Sequence, residues 1–217
     1  MFDITLRPLK DGLFDPCCKH IPSFIKPLHI TLLAFLSGLL SCYFISLTPS
    51  NSSLALLFWA SNRALDCLDG ALARHRRTAS DLGGFLDLLG DFIVYSLLPI
   101  SIAQGQGRSS VGDLEQVDAS WRAVAFLEAA FHVNNFILFY IAAVAEKLSH
   151  GAEKGSGKKN ELTSVMMRPA LVEGMESGIM FTAMLAFPGA IQSLSWIMAG
   201  LVSVGIIQRT IWVVGSL

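Results

Sequence analysis

Residues 28–47 read LHITLLAFLSGLLSCYFISL, twenty in succession without an Asp, Glu, Lys or Arg. A helix of about that length crosses the hydrocarbon core of a bilayer, and this one has no polar face to offer water. The run therefore commits the chain to a membrane. The same length scale picks out five more candidate spans, at 53–73, 82–103, 121–145, 170–188 and 190–214. The expected fold is all-α, a polytopic membrane protein with six transmembrane helices preceded by an N-terminal amphipathic surface helix. Composition agrees: 15% of residues are charged, against about 25% in an ordinary soluble domain. A single domain over 1–217 is expected, with 1–26 as a juxtamembrane segment and 27–217 as the six-helix bundle. The first 25 residues mix charges with prolines and lack a continuous apolar core, so they read as a surface segment and not as a cleavable signal.

The positions of the basic residues set the orientation. Arg7, Lys10, Lys19 and Lys26 precede span one, and Arg74, Arg76 and Arg77 lie between spans two and three. Lys147, Lys154, Lys158, Lys159 and Arg168 lie between spans four and five, while the opposite links hold only Arg108 and Arg122. Such a bias places the basic links, both termini and anything built near them on the cytoplasmic side. The net charge of −1 gives no field for nucleic acid. Cys17, Cys18, Cys42 and Cys67 show no metal-binding spacing and read as small apolar side chains.

Spans two and three carry acids inside their apolar runs. Asp66 and Asp69 stand in "RALDCLDGALARHRR", and Asp87 and Asp91 in "GGFLDLLGDFIVY". Both pairs fall at the basic end of their spans, on either side of a short link that includes Ser80, a candidate helix cap. At 100° per residue, Asp69, Gly70 and Ala73 lie within about 60° of Asp66, and Gly83, Asp87 and Asp91 form a matching stripe. Neighbouring antiparallel helices can turn these stripes toward one cavity. Four ionised carboxylates there demand protons or cations, and hard divalent ions such as Mg²⁺ favour a few carboxylates plus substrate phosphates. Intramembrane acids cost at least ~2.5 kcal/mol each on insertion scales, which makes four of them a functional-site hypothesis. Arg74, rotated about 80° from Asp66, offers bidentate donors to phosphate. Arg76 and Arg77 read as topology signals at the headgroup level.

Asp66-x-x-Asp69-Gly70-x-x-Ala73-Arg74, eight residues, then Gly83-x-x-x-Asp87-x-x-x-Asp91 resembles the complete motif of the CDP-alcohol phosphotransferase family, also called CDP-alcohol phosphatidyltransferases. The "KPLHIT" before span one is similar, more loosely, to the family's Pro-Asn-x-x-Thr start. The resemblance implies an integral membrane enzyme of phospholipid biosynthesis. It implies transfer of a phosphatidyl group from CDP-diacylglycerol to an alcohol acceptor, with release of CMP. It further implies two divalent ions, Mg²⁺ or Mn²⁺, on Asp66, Asp69, Asp87 and Asp91, with Asp91 also the general base. CDP would lie against Asp66, Asp69, Gly70, Ala73, Arg74 and Gly83. A homodimer in the lipid bilayer is expected on the same ground.

Other buried polar residues bear on the acceptor. Arg63, three before Asp66, pairs with that carboxylate or binds substrate. Glu173 and Glu176 are candidates for acceptor hydroxyls, or partners for Arg63 or Arg209. Glu128, His132, Asn134 and Asn135 fall in span four, where helix–helix hydrogen bonding is the expected role of His132 and the asparagines. The "DPxADK" ending of glycerophosphate-transferring members and the "FDHGCDS" form of choline and ethanolamine transferases are both absent, so the alcohol stays unnamed. Two rival classes remain, an intramembrane prenyltransferase with a diphosphate donor and an ion or proton transporter with clustered acids. The first places its acidic motifs in different halves of a longer chain, and the second distributes acids across the membrane depth.

Overall fold

Pro27 opens the first helix, where its fixed φ suits the first turn and its missing N–H costs nothing. His29 Nδ1 folds back to accept the Lys26 backbone N–H at 3.3 Å. The computed structural model describes residues 14, 16–110, 113–152 and 174–216, and all regular elements among them are helical. In chain order these are α1 (Pro27–Leu47), α2 (Ser52–His75), α3 (Asp81–Ser109), α4 (Leu114–Ala152), α5 (Gly174–Ala186) and α6 (Ile191–Ser216). Single 3₁₀ turns at Pro49–Asn51 and Pro188–Ala190 connect α1 to α2 and α5 to α6. Each sequence-derived span falls on one of these six helices, but the third helix runs six residues past its span and the fourth extends seven residues beyond its span at each end; the beginning of the fifth span lies outside the described residues.

Four helices, not six, are long and apolar enough to cross a bilayer among the described residues: α1, α3, α4 and α6. The expectation of six fails at α2 and α5 for different reasons. Arg63, Asp66 and Asp69 stand so near the middle of α2 that any stretch of spanning length includes all three. The described part of α5 is 13 residues long, about 20 Å of helix at 1.5 Å per residue and short of the hydrocarbon thickness.

Helix α1 packs along both α2 and α3, while α4 packs along α6. Small residues allow the closest of these approaches. A Cβ on Gly105 of α3 would stand 2.1 Å from the Ile45 carbonyl oxygen, and one on Gly38 of α1 would stand 2.6 Å from a Val94 methyl. Backbone contact of that kind is how helices associate where lipid is as apolar as the side chains. The main core gathers Trp59, Val94, Leu98, Phe181 and Met184 from α2, α3 and α5. A second cluster joins Cys18, Ile30, Ala71 and Leu72, with Phe14, Ile21 and Ile25 against it. The end of the juxtamembrane segment is thus docked on α2. The rest of the expected surface helix lies outside the described residues.

Candidate functional site

The two acidic helices meet through a tightly closed link. At the end of α2, Thr78 N–H donates to the Ala73 carbonyl at 2.9 Å and Arg77 N–H to the Arg74 carbonyl at 3.1 Å. This is the 6→1 and 5→2 pair of a Schellman termination. Its left-handed position is filled by Arg77, at φ 54°, where glycine is usual. Three residues on, the Ser80 hydroxyl accepts the Gly83 N–H at 3.1 Å and starts α3, as expected of it. The link is therefore short and closed at both ends, and the acidic turns of α2 and α3 come within side-chain reach of each other.

Asp66 and Asp87 face each other across the helix pair, their carboxyl groups within hydrogen-bonding reach, and Asp69 and Asp91 are close enough for their charges to act on Asp87. Asp69 is 5% exposed, and its Oδ2 accepts the Thr31 hydroxyl of α1 at 2.5 Å. Thr31 is the final residue of "KPLHIT"; that stretch was the only signal for it, and no role could be assigned from spacing alone. Asp91 is held on both oxygens by Arg63: one guanidinium nitrogen pairs with Oδ1, and the other reaches Oδ2 at 3.3 Å. Asp66 is the more distant partner of Arg63, at 3.6 Å. The three-residue spacing pointed at Asp66. That ion pair is present, but the closer contacts of the guanidinium cross to α3, where its fork meets both oxygens of Asp91.

Arg63 is itself fixed from every side. Nε donates to Asn62 Oδ1 at 2.8 Å, and Nη1 donates to the Tyr95 hydroxyl at 2.8 Å. The Trp59 and Tyr95 rings lie 5.0 and 5.1 Å from the guanidinium carbon. Asn62, 3% exposed, is anchored in turn through its amide to the Ala34 carbonyl at 2.8 Å.

The remaining motif residues surround this core. Arg74 lies over Gly70, with Nη1 3.1 Å from where a Gly70 Cβ would stand. A Cβ on Gly83 would meet the Ser80 Oγ at 3.2 Å, so that glycine protects the cap as well as leaving room. Ala73 is half-buried on the same face. As placed, no three His, Cys, Asp or Glu side chains among the described residues converge closely enough to hold a metal ion. Thr31 and Arg63 draw Asp69 and Asp91 aside, leaving Asp66 and Asp87 as the facing pair.

Several sequence expectations change here. Arg76 is not simply a headgroup-level charge: it donates to the carbonyls of Ile25 at 2.6 Å, Ile21 at 2.7 Å and Pro22 at 3.1 Å. Arg209, 8% exposed on α6, donates to Asn134 Oδ1 at 2.5 Å, so its described partner is an asparagine of α4 and not an acid. Asn134 thus has its helix–helix hydrogen bond, whereas His132 sits on the exposed face of α4. Glu176 is half-buried in the first turn of α5, and Glu173 lies outside the described residues. Glu128 meets the Ser96 hydroxyl and keeps Oε1 buried with no hydrogen-bond partner among the described residues.

Known proteins are similar to this chain in sequence. The sequence profile of the CDP-alcohol phosphatidyltransferase family matches residues 24–207. The chain is 30% identical over 189 residues to the inner membrane protein YnjF of Escherichia coli (strain K12), covering 87% of this chain and 83% of that one. It is 29% identical over 189 residues to the archaetidylinositol phosphate synthase of Pyrococcus horikoshii, covering 86% of this chain and 92% of that one. The chain belongs to the CDP-alcohol phosphatidyltransferase family, as an integral membrane phosphotransferase of phospholipid biosynthesis.

Proposed function

We propose that the protein transfers a phosphatidyl group from CDP-diacylglycerol to an alcohol and releases CMP, in a site formed by α2 and α3. The observation that carries this reading is the meeting of Asp66 and Asp87 across the helix pair, with Asp69 and Asp91 beside them. Ionised carboxylates are acceptors only, so two of them in contact need a proton or a cation between them. The donor set is all oxygen and carboxylate-rich, which suits Mg²⁺ or Mn²⁺ together with substrate phosphates. Asp66 and Asp87 would hold such ions first, with Asp69 and Asp91 joining from their present partners. When bound, two divalent ions offset charge on the diphosphate and on the departing CMP.

The protein's own side chains supply the remaining chemistry. Asp91 takes the proton of the acceptor hydroxyl. The hydroxyl oxygen bonds to the lipid-linked phosphorus as that phosphorus separates from the bridging oxygen, which leaves with CMP. Arg74, above Gly70, meets the phosphate oxygens with its planar fork. The lipid tails of the donor remain in the bilayer while its CDP headgroup meets the alcohol at the water side. The positive bias of the basic links supports a cytoplasmic site and cytoplasmic termini. A single membrane domain and a homodimer belong to the same proposal.

The acceptor has a second clue. Arg209 is an almost fully buried cation whose described partner is a neutral amide, and an intramembrane cation favours an anion. A phosphorylated polyol acceptor fits that surplus charge, and the relative named as an archaetidylinositol phosphate synthase favours it. Release of CMP from CDP-diacylglycerol by the purified protein tests the reading, with Mg²⁺ or Mn²⁺ and a panel of free and phosphorylated alcohols. CMP appearing only with metal and acceptor is the expected outcome. Absence of CMP with every acceptor would overturn it.

A further inference from the structure

Arg63 has no place in the eight-residue motif, yet it is the most heavily constrained side chain at the site. Two of its nitrogens cover both oxygens of Asp91, and Asp66 is 3.6 Å away. Asn62, Tyr95 and the Trp59 ring hold it from the opposite sides. A surface arginine meets a carboxylate by swinging to it; this one has a built seat of three residues from α2 and α3. The seat aims a permanent positive charge at the very carboxylates that would receive divalent ions. An arginine does not lose its charge at any working pH.

We infer that Arg63 is a built-in counter-cation, a positioning residue that occupies Asp91 and balances the acidic cluster until divalent ions arrive. Loading the site is then an exchange of cations. Asp91 leaves the guanidinium to meet metal and acceptor, while Asn62, Tyr95 and Trp59 retain Arg63 nearby. Two consequences follow. The cluster tolerates a metal-free state with less mutual repulsion of its carboxylates, and the metal concentration at which the site loads is raised by the charge it must displace. This inference rests on the metal-dependent reading above.

The experiment is a thermal unfolding titration of the purified, detergent-solubilised full chain with Mn²⁺ alone, without substrates. For Arg63→Gln we expect lower stability without metal and a Mn²⁺ midpoint about tenfold lower than wild type, a modest share of what a unit charge exerts at this range. Its kcat for CMP release should fall by at least about tenfold as Asp91 loses its support. Tighter metal and slower turnover together are not what a merely damaged fold produces. Arg63→Lys keeps the charge without the fork, so its midpoint should stay near wild type while kcat falls. If Arg63→Gln does not fold, Tyr95→Phe serves, since it removes one anchor of the guanidinium and should lower the midpoint a few-fold. An unchanged or higher midpoint in the folded variant, with wild type responding to Mn²⁺, overturns the role of Arg63 alone. A wild type that does not respond to Mn²⁺ at all overturns the metal reading and this inference with it.

Discussion

Asp91 is the residue on which most of the proposed chemistry turns. Its replacement by asparagine keeps the shape but removes the proton acceptor, and also leaves Arg63 without its principal counter-charge. We expect Asp91→Asn to lower CMP release by roughly 10²–10⁴-fold, the usual share of a general base, with helicity unchanged by circular dichroism. Turnover within tenfold of wild type would remove Asp91 from that role. Thr31→Val makes a narrower cut. It deletes the hydroxyl on Asp69 while preserving volume, and hydrogen bonds to charged groups are worth about 1.5–3 kcal/mol. A fall of about tenfold or more in kcat is expected, together with a displaced metal titration; an unaltered metal titration would count against Asp69 as a ligand. The eight motif residues were readable in the sequence because helical periodicity fixes their faces before any tertiary contact forms. Thr31 and the Asp91 partner of Arg63 were not, because both contacts run between helices and periodicity says nothing about which neighbour a side chain reaches. Glu128 shows the same limit: its meeting with Ser96 joins α4 to α3, and spacing within α4 could not disclose it.

Among the elements, α1 and α3 are defined as much by what is absent from their surfaces as by what is present. Gly105 admits the Ile45 carbonyl where any side chain would collide with backbone, and backbone cannot rotate away as a flexible side chain does. Gly105→Ala should therefore cost about 1–3 kcal/mol or more, the range for overpacked cores. Chemical unfolding in detergent measures it, with Gly84→Ala as the comparison, since nothing lies within 4 Å of a Cβ there. Equal stability of the two variants would show that α1 and α3 have room to separate. The six helices were legible from apolar length alone, down to the Ser80 cap. The reading of α2 as a span was not upheld, because Arg63, Asp66 and Asp69 stand inside it; their contacts to α3 and α1 could not be read from spacing within α2.

For the molecule as a whole, Arg76 is the connection that the basic-residue bias concealed. A positive charge after a span announces orientation whatever it touches, so its three backbone acceptors in residues 21–25 could not be foreseen. Arg76→Ala should release that segment. We expect trypsin to cut after Lys19 several-fold faster in the variant, with a smaller decline in turnover; identical cleavage would mean that the apolar cluster around Cys18 suffices alone. The clamp has a further effect on where the reaction happens. Because the segment entering α1 and the last turn of α2 are bound to each other, neither can sink or rise in the bilayer independently. For the proposed reaction, that coupling would keep the acidic turns of α2 at one depth, where a water-borne alcohol and a lipid-borne donor would both reach them.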